Sequence, residues 1–184
     1  MRCVTPPPPT HETEPPAVVK KGRPKLKPVF DGYEHRGTGT PAQDPHGKNC
    51  SVLAMMFAMT RAPHLSGWRW WESDATINRC DYIGPRDADG VVRLAAEKGV
   101  GVVVRSIPVG KLALFYAALE EERVFLVTVT DENAGGGHWM AVCNREDGDL
   151  LVFDPIVGYV YKVDADTVCS KFSKEVPEKI VCLE

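Results

Sequence analysis

Cys50 stands at the head of an apolar run, NCSVLAMMFAMT, residues 49–60. The run is apolar on nearly every face, which predicts a buried helix beginning near Cys50. The first turn of a helix carries unpaired N–H groups and a partial positive charge. Both stabilise a thiolate, the reactive form of the side chain. The plain alternative is a small core hydrophobe, the role of most reduced cysteines. His138 follows Gly135-Gly136-Gly137 and opens the strand-like HWMAV. The glycines let another backbone come close, and an imidazole there can act as base for a thiol. A solvated or locally paired histidine is its alternative. Asp154 ends the next strand-like run, DLLVF, ahead of Pro155. Two antiparallel strands joined by a tight turn bring their outer ends side by side, so His138 and Asp154 are expected at one sheet edge. A carboxylate there holds the imidazole tautomer and stabilises the imidazolium. Asp-Pro alone marks only a turn; the hairpin is what discriminates. Gln43 precedes Cys50 by seven residues in TPAQDPHGKNC. Its side-chain N–H, with the Cys50 backbone N–H, can bind the oxyanion of a tetrahedral intermediate. Asn49 and Asp44 compete for that part.

The elements that must position these groups follow from pattern. After helix 50–60, Asp87 or Asp89 can cap a short helix that Gly99 closes. Residues 100–107 form an expected strand, and KLALFYAALEEE (111–122) a helix with Leu112, Phe115 and Leu119 on one side. Beyond it the period changes. Segments 123–130, 138–144, 149–153 and 158–162 are short and rich in β-branched and aromatic residues, hence strands. Glu146-Asp147-Gly148 supplies a hairpin turn, and Gly158 marks another break. A short helix near 164–173 and a strand at 179–183 follow. Helices first and an antiparallel meander after predict an α+β fold, a helical layer packed on a sheet.

At 184 residues the chain has room for one domain with a proper core. Ten of the fifteen prolines lie in the first 45 residues, four of them consecutive from Pro6 to Pro9. Such a segment favours extended conformations and cannot offset its ordering entropy by burial. Residues 1–37 are therefore expected to be a disordered proline-rich basic arm, and 38–184 the folded domain. The arm carries seven basic against four acidic residues, a net of +3, which leaves −6 for the remainder.

The order Gln43, Cys50, His138, Asp154 resembles that of papain-like cysteine peptidases, in particular the compact branch of double-glycine peptidases and plant-pathogen effector proteases. Picornaviral leader proteases share the layout. The resemblance rests on Gln43 to Cys50 heading helix 50–60, on the strand GGHWMAV and on VFDPIVG, and it covers roughly residues 38–175. Many members carry Trp or Gly directly after the cysteine, where this chain has Ser51. The resemblance implies a papain-like fold and acyl transfer to Cys50, with His138 as base, Asp154 as its orienting group and Gln43 at the oxyanion. The implied partner is a protein or peptide substrate, and the implied setting an effector, toxin or viral leader-type protease. A papain-like toxin that deamidates or cross-links glutamine uses the same triad, and a non-catalytic binding module on this scaffold is a third reading.

Other signals point elsewhere. KKGRPKLKP, with Lys20, Lys21, Arg23, Lys25 and Lys27, resembles a minor-groove hook or an import patch and is a candidate for weak nucleic-acid contact. The proline arm suits an aromatic groove of SH3 type. Trp68, Trp70 and Trp71 can line a cleft, with core packing the alternative. His46 and Cys50, four apart, lack a second ligand pair, so no metal or other cofactor is expected. No stretch approaches the roughly 20 apolar residues of a membrane span, and the N-terminus lacks the apolar core of a Sec signal. Six scattered cysteines without a CxxC pair favour a reducing, cytosol-like compartment, that of a host cell after delivery or infection.

Overall fold

The computed structural model describes residues 28–37, 49–61, 84–106, 124–131, 136–146, 149–171 and 179–183. The expected helix at 111–122, the three tryptophans, Gln43, Asp44, His46 and the basic run 20–27 lie outside them.

Strand pairing organises what is described. The strands are β1 (His35–Gly37), β2 (Val102–Ser106), β3 (Phe125–Asp131), β4 (Gly136–Glu146), β5 (Asp149–Asp154), β6 (Tyr159–Val163) and β7 (Lys179–Leu183). Among the described residues they form one seven-stranded sheet in the order β1-β6-β5-β4-β3-β7-β2. Every pairing is antiparallel. The meander expected from sequence is its centre, β3 to β6. The flanks depart from a simple meander, because β7 inserts between β3 and β2, and β1 closes the other side against β6.

Among the described residues three helices accompany the sheet: α1 (Cys50–Arg61), α2 (Ala88–Glu97) and α3 (Ala165–Ser170). Helix α1 is built of Ala, Leu and Met with few β-branched residues, a composition of high helix propensity. Every residue from Ser51 to Met59 is buried, so the helix is enclosed on all sides. Its inner face packs on β4 and β3, with Phe57 stacked on Phe153 of β5 at 4.5 Å between ring centroids. Asp87 caps α2 by accepting from the Gly90 N–H at 2.6 Å, and Gly99 ends the helix at φ +73, a conformation open to glycine. Asp164 caps α3 in the same way through the Thr167 N–H.

Alternation along the strands sorts the core into two clusters. Leu126, Trp139, Ala141, Leu151, Phe153 and Val181 face α1 and α2. Phe125, Met140, Val142, Val152, Tyr161 and Ile180 face the opposite side, with α3 and Phe30.

Phe30 corrects the domain boundary. Its side chain has no exposed area, β1 pairs residue for residue with β6, and the Lys162 N–H donates to the Glu34 carbonyl at 3.1 Å. Residues 28–37 therefore belong to the fold and not to an arm ending at 37. Proline density dominates composition over that window. One buried aromatic and three backbone pairings outweigh it locally.

Candidate active site

Asn49 begins the site from the helix side. Its carbonyl accepts from both Val52 N–H and Leu53 N–H at 3.0 Å, which makes it the N-cap and Cys50 the first helical residue. Cys50 is partly exposed, whereas Cys143 and Cys182 are fully buried. Its sulfur accepts from the backbone N–H groups of Ser51 and Trp139 and is hydrogen-bonded to the His138 side chain. Burial pushes the thiol up, but the bond to His138, its charge and those two N–H groups outweigh burial and hold Cys50 below the ordinary thiol value.

His138 and Asp154 come from neighbouring strands, and a bulge decides that they meet. At the turn end of the hairpin Glu146 pairs with Asp149 and Arg145 with Leu150; one step on, Cys143 pairs with Leu151, so Asn144 is the extra residue. A one-residue slip moves a strand's side chains to the other face. With the bulge, Ala141 faces Phe153, and Asp154 falls beside Met140, on the same face as His138. Without it, Asp154 would fall beside Ala141 and the two would point to opposite faces.

His138 Nε2 lies 3.0 Å from Asp154 Oδ1, with the residues only 2% and 0% exposed. An ionised carboxylate can only accept, so Nε2 donates and Nδ1 is left for the sulfur. Asp154 Oδ1 also accepts from the Ile156 N–H at 2.9 Å, and Oδ2 from the Val29 N–H at 2.9 Å. Burial opposes the charged imidazole. The bond to Asp154, the bond to Cys50 and the charges of both outweigh it and raise His138 from 6.5 to about 9. The two shifts agree in sense: both favour the proton on the ring and the charge on the sulfur.

The structure thus brings Cys50, His138 and Asp154 into one hydrogen-bonded line. Asn49 adjoins it, 8% exposed, with Oδ1 lacking a hydrogen-bond partner among the described residues. Gln43 is outside the described residues. Three contributors escaped sequence reasoning. The Trp139 and Ser51 N–H groups are backbone donors that any residue type would supply. The Val29 N–H reaches Asp154 from 125 positions away. The apolar pair Val29-Phe30 next to Asp31-Gly32 was its one visible trace in a proline-rich stretch.

No family model and no curated protein matches the chain. Solved structures do. The peptidase domain of Streptococcus mutans ComA, in complex with a small-molecule inhibitor, is similar at a TM-score of 0.51 and 12% identity, over 80% of this chain and 99% of that one. A double-glycine-motif protease from an AMS/PCAT transporter, in complex with a leader peptide, gives 0.47 and 10%, over 86% and 99%. The Pseudomonas avirulence protein AvrPphB gives 0.34 and 12%, over 73% and 90%. These neighbours are papain-like cysteine peptidases. The chain accordingly has an α+β fold similar to that of the ComA peptidase domain.

Proposed function

We propose that the chain is a papain-like thiol peptidase that hydrolyses peptide bonds through a thioacyl intermediate on Cys50. One observation carries the reading. A partly exposed sulfur at the first residue of α1 is hydrogen-bonded to an imidazole, which is bonded at 3.0 Å to a fully buried carboxylate.

In the resting pair Cys50 is thiolate and His138 imidazolium. The sulfur attacks the scissile carbonyl carbon, a C–S bond forms, and the carbonyl electron pair moves to oxygen. The Cys50 backbone N–H is unclaimed by the helix at its first position and donates to that oxygen. The Asn49 or Gln43 amide supplies a second donor, worth about 3–4 kcal/mol of transition-state stabilisation. Collapse breaks the C–N bond, and the leaving amine takes the proton from His138. Neutral His138 then removes a proton from water, the hydroxide attacks the thioester, and the carboxylic acid leaves with the thiolate restored. Asp154 keeps Nε2 as donor throughout, so that Nδ1 stays on the sulfur. The substrate is a protein or peptide segment. An effector, toxin or leader-type role in a reducing compartment suits a reaction that needs a thiolate.

Labelling with an electrophilic cysteine-peptidase probe tests this. Wild type should take up one adduct at Cys50, and Cys50→Ala none, with equal far-UV circular dichroism. A wild-type chain that resists the probe, or peptide turnover that survives Cys50→Ala, ends the reading. Intact-mass analysis of a candidate substrate distinguishes peptide cleavage, which yields two fragments, from glutamine deamidation, which leaves the chain whole.

A further inference from the structure

We propose that Val29 and Phe30 are positioning residues for this site: the Val29 backbone N–H sets the plane of the Asp154 carboxylate, and the buried Phe30 ring fixes that N–H. The inference rests on the peptidase reading and adds a segment that no triad contains.

The argument starts from what a carboxylate needs in order to orient a ring. Asp154 Oδ1 is held by the Ile156 N–H at 2.9 Å and by His138 Nε2 at 3.0 Å. Ile156 sits two residues away in the turn after β5, so that anchor is local. Fixing one oxygen leaves the carboxylate plane free to swing about it. The Val29 N–H holds the second oxygen, Oδ2, at 2.9 Å. Two oxygens bound from two separate segments define the plane, and with it the lone pair offered to Nε2.

The donor is itself anchored. Phe30 has no exposed area, packs edge-on against Tyr33 at 6.0 Å and tilts against Tyr161 at 5.8 Å. It belongs to the cluster of Met140 and Val152, which lie two positions from His138 and Asp154 on the same strands. The Tyr33 N–H closes a turn onto the Phe30 carbonyl at 3.2 Å, and β1 then ties the segment to β6. Among the described residues, titratable groups on this side include Asp31, Tyr33, Tyr159, Tyr161, Cys169 and Cys182. Burial, then Asp154, Tyr159 and Asp31, push Tyr161 above the ordinary tyrosine value, so it stays neutral across the working range.

The test uses the full chain and the rate of Cys50 alkylation by iodoacetamide as a function of pH, with melting temperature recorded alongside. Val29→Pro deletes the N–H and keeps apolar bulk. Phe30→Ala removes the anchor, and Phe30→Leu returns most of it. In wild type, alkylation should persist well below the ordinary thiol value, and His138→Gln should abolish that persistence. Val29→Pro and Phe30→Ala should move the acid limb up by about one unit, a roughly tenfold slower reaction at pH 6, because a hydrogen bond to a charged group is lost. Phe30→Leu should recover most of the rate. A folded Val29→Pro with the wild-type profile overturns the proposal while the peptidase reading stands. Should Val29→Pro fail to fold, the Phe30 pair decides: a lower melting temperature with an unmoved profile assigns the segment to stability alone and overturns it too. A wild-type profile indifferent to His138→Gln fells the peptidase reading and the clamp together.

Discussion

The two faces of the sheet place their chemistry by different physics. On the first, α1 is apolar around its circumference and wedged against β4 and β3, and the sulfur takes its position from how that cylinder packs. On the second, His138 and Asp154 are set by strand register, one bulge and a line of hydrogen bonds to Ile156 and Val29. Dispersion and burial are non-directional and sum over many contacts. Hydrogen bonds are directional and few. The first face should therefore fail by unfolding, the second by misalignment within an intact fold.

The largest expected effect lies on the first face. Phe57 is 2% exposed and stacks on Phe153 with the rings 15° apart. Phe57→Ala should cost about 3–5 kcal/mol of stability, measured by denaturant unfolding. The pH profile of Cys50 alkylation in the protein that stays folded should not move. A profile that shifts with little loss of stability would erase the distinction between the faces.

Asp154→Asn is the matching change on the second. Three N–H groups point at this carboxylate, from Val29, Ile156 and His138. An amide has one oxygen, so at least one of those donors must face an NH2 group. Peptidase turnover should fall on the order of a hundredfold, the scale of a misplaced reacting group, with kcat carrying the loss. Unchanged turnover would show that packing alone orients the ring.

Gly84 offers a smaller probe at the seam between sulfur and helix cap. A Cβ built there would stand 2.7 Å from Ser51 Oγ and 3.0 Å from a Val52 methyl. Ser51 is 1% exposed, and its Oγ has no hydrogen-bond partner among the described residues. Gly84→Ala should destabilise by about 1–3 kcal/mol, as overpacking does. If α1 instead yields at its first turn, the loss will appear as slower Cys50 alkylation at unchanged melting temperature, which would make the cap a hydrogen-bonded device like the second face.

The same division governs what could be seen in the sequence. Composition alone announces α1, because twelve residues free of glycine and proline can bury every face only as a helix in a core. Strands β3 to β6 were visible as β-branched runs, and the cap of α2 as a choice between Asp87 and Asp89, of which the structure uses Asp87; the cap at Asp164 was not singled out. The proximity of His138 and Asp154 was expected from the hairpin, yet a regular hairpin with this turn puts them on opposite faces. The bulge at Asn144 reverses that, and nothing in CNREDGD marks it. Phe30 was hidden for another reason. A ten-residue fold element beside a proline tract takes on the tract's average, and only long-range packing reveals the difference.

The smallest effect joins the two faces through their protons. Unfolded, His138 titrates near 6.5 and Cys50 near 9.0; folded, His138 rises to about 9 and Cys50 falls. The raised histidine contributes stability that is complete below 6.5 and is lost as pH climbs through about 9. The lowered cysteine contributes stability that is complete above 9.0 and is lost as pH falls toward its folded value. Between those limits the losses run in opposite directions. Where the folded pair holds one proton, on His138, and the unfolded chain also holds one, on Cys50, stability from the pair is flat with pH. The difference in unfolding free energy between wild type and the Cys50→Ala, His138→Gln double variant should therefore be level between 6.5 and about 9, as far down as Cys50 stays ionised in the folded chain. A difference that rises across that range means the cysteine alone is shifted, and one that falls means the histidine alone is. Either slope would separate the helix face from the strand face, because a level line requires both partners to have moved.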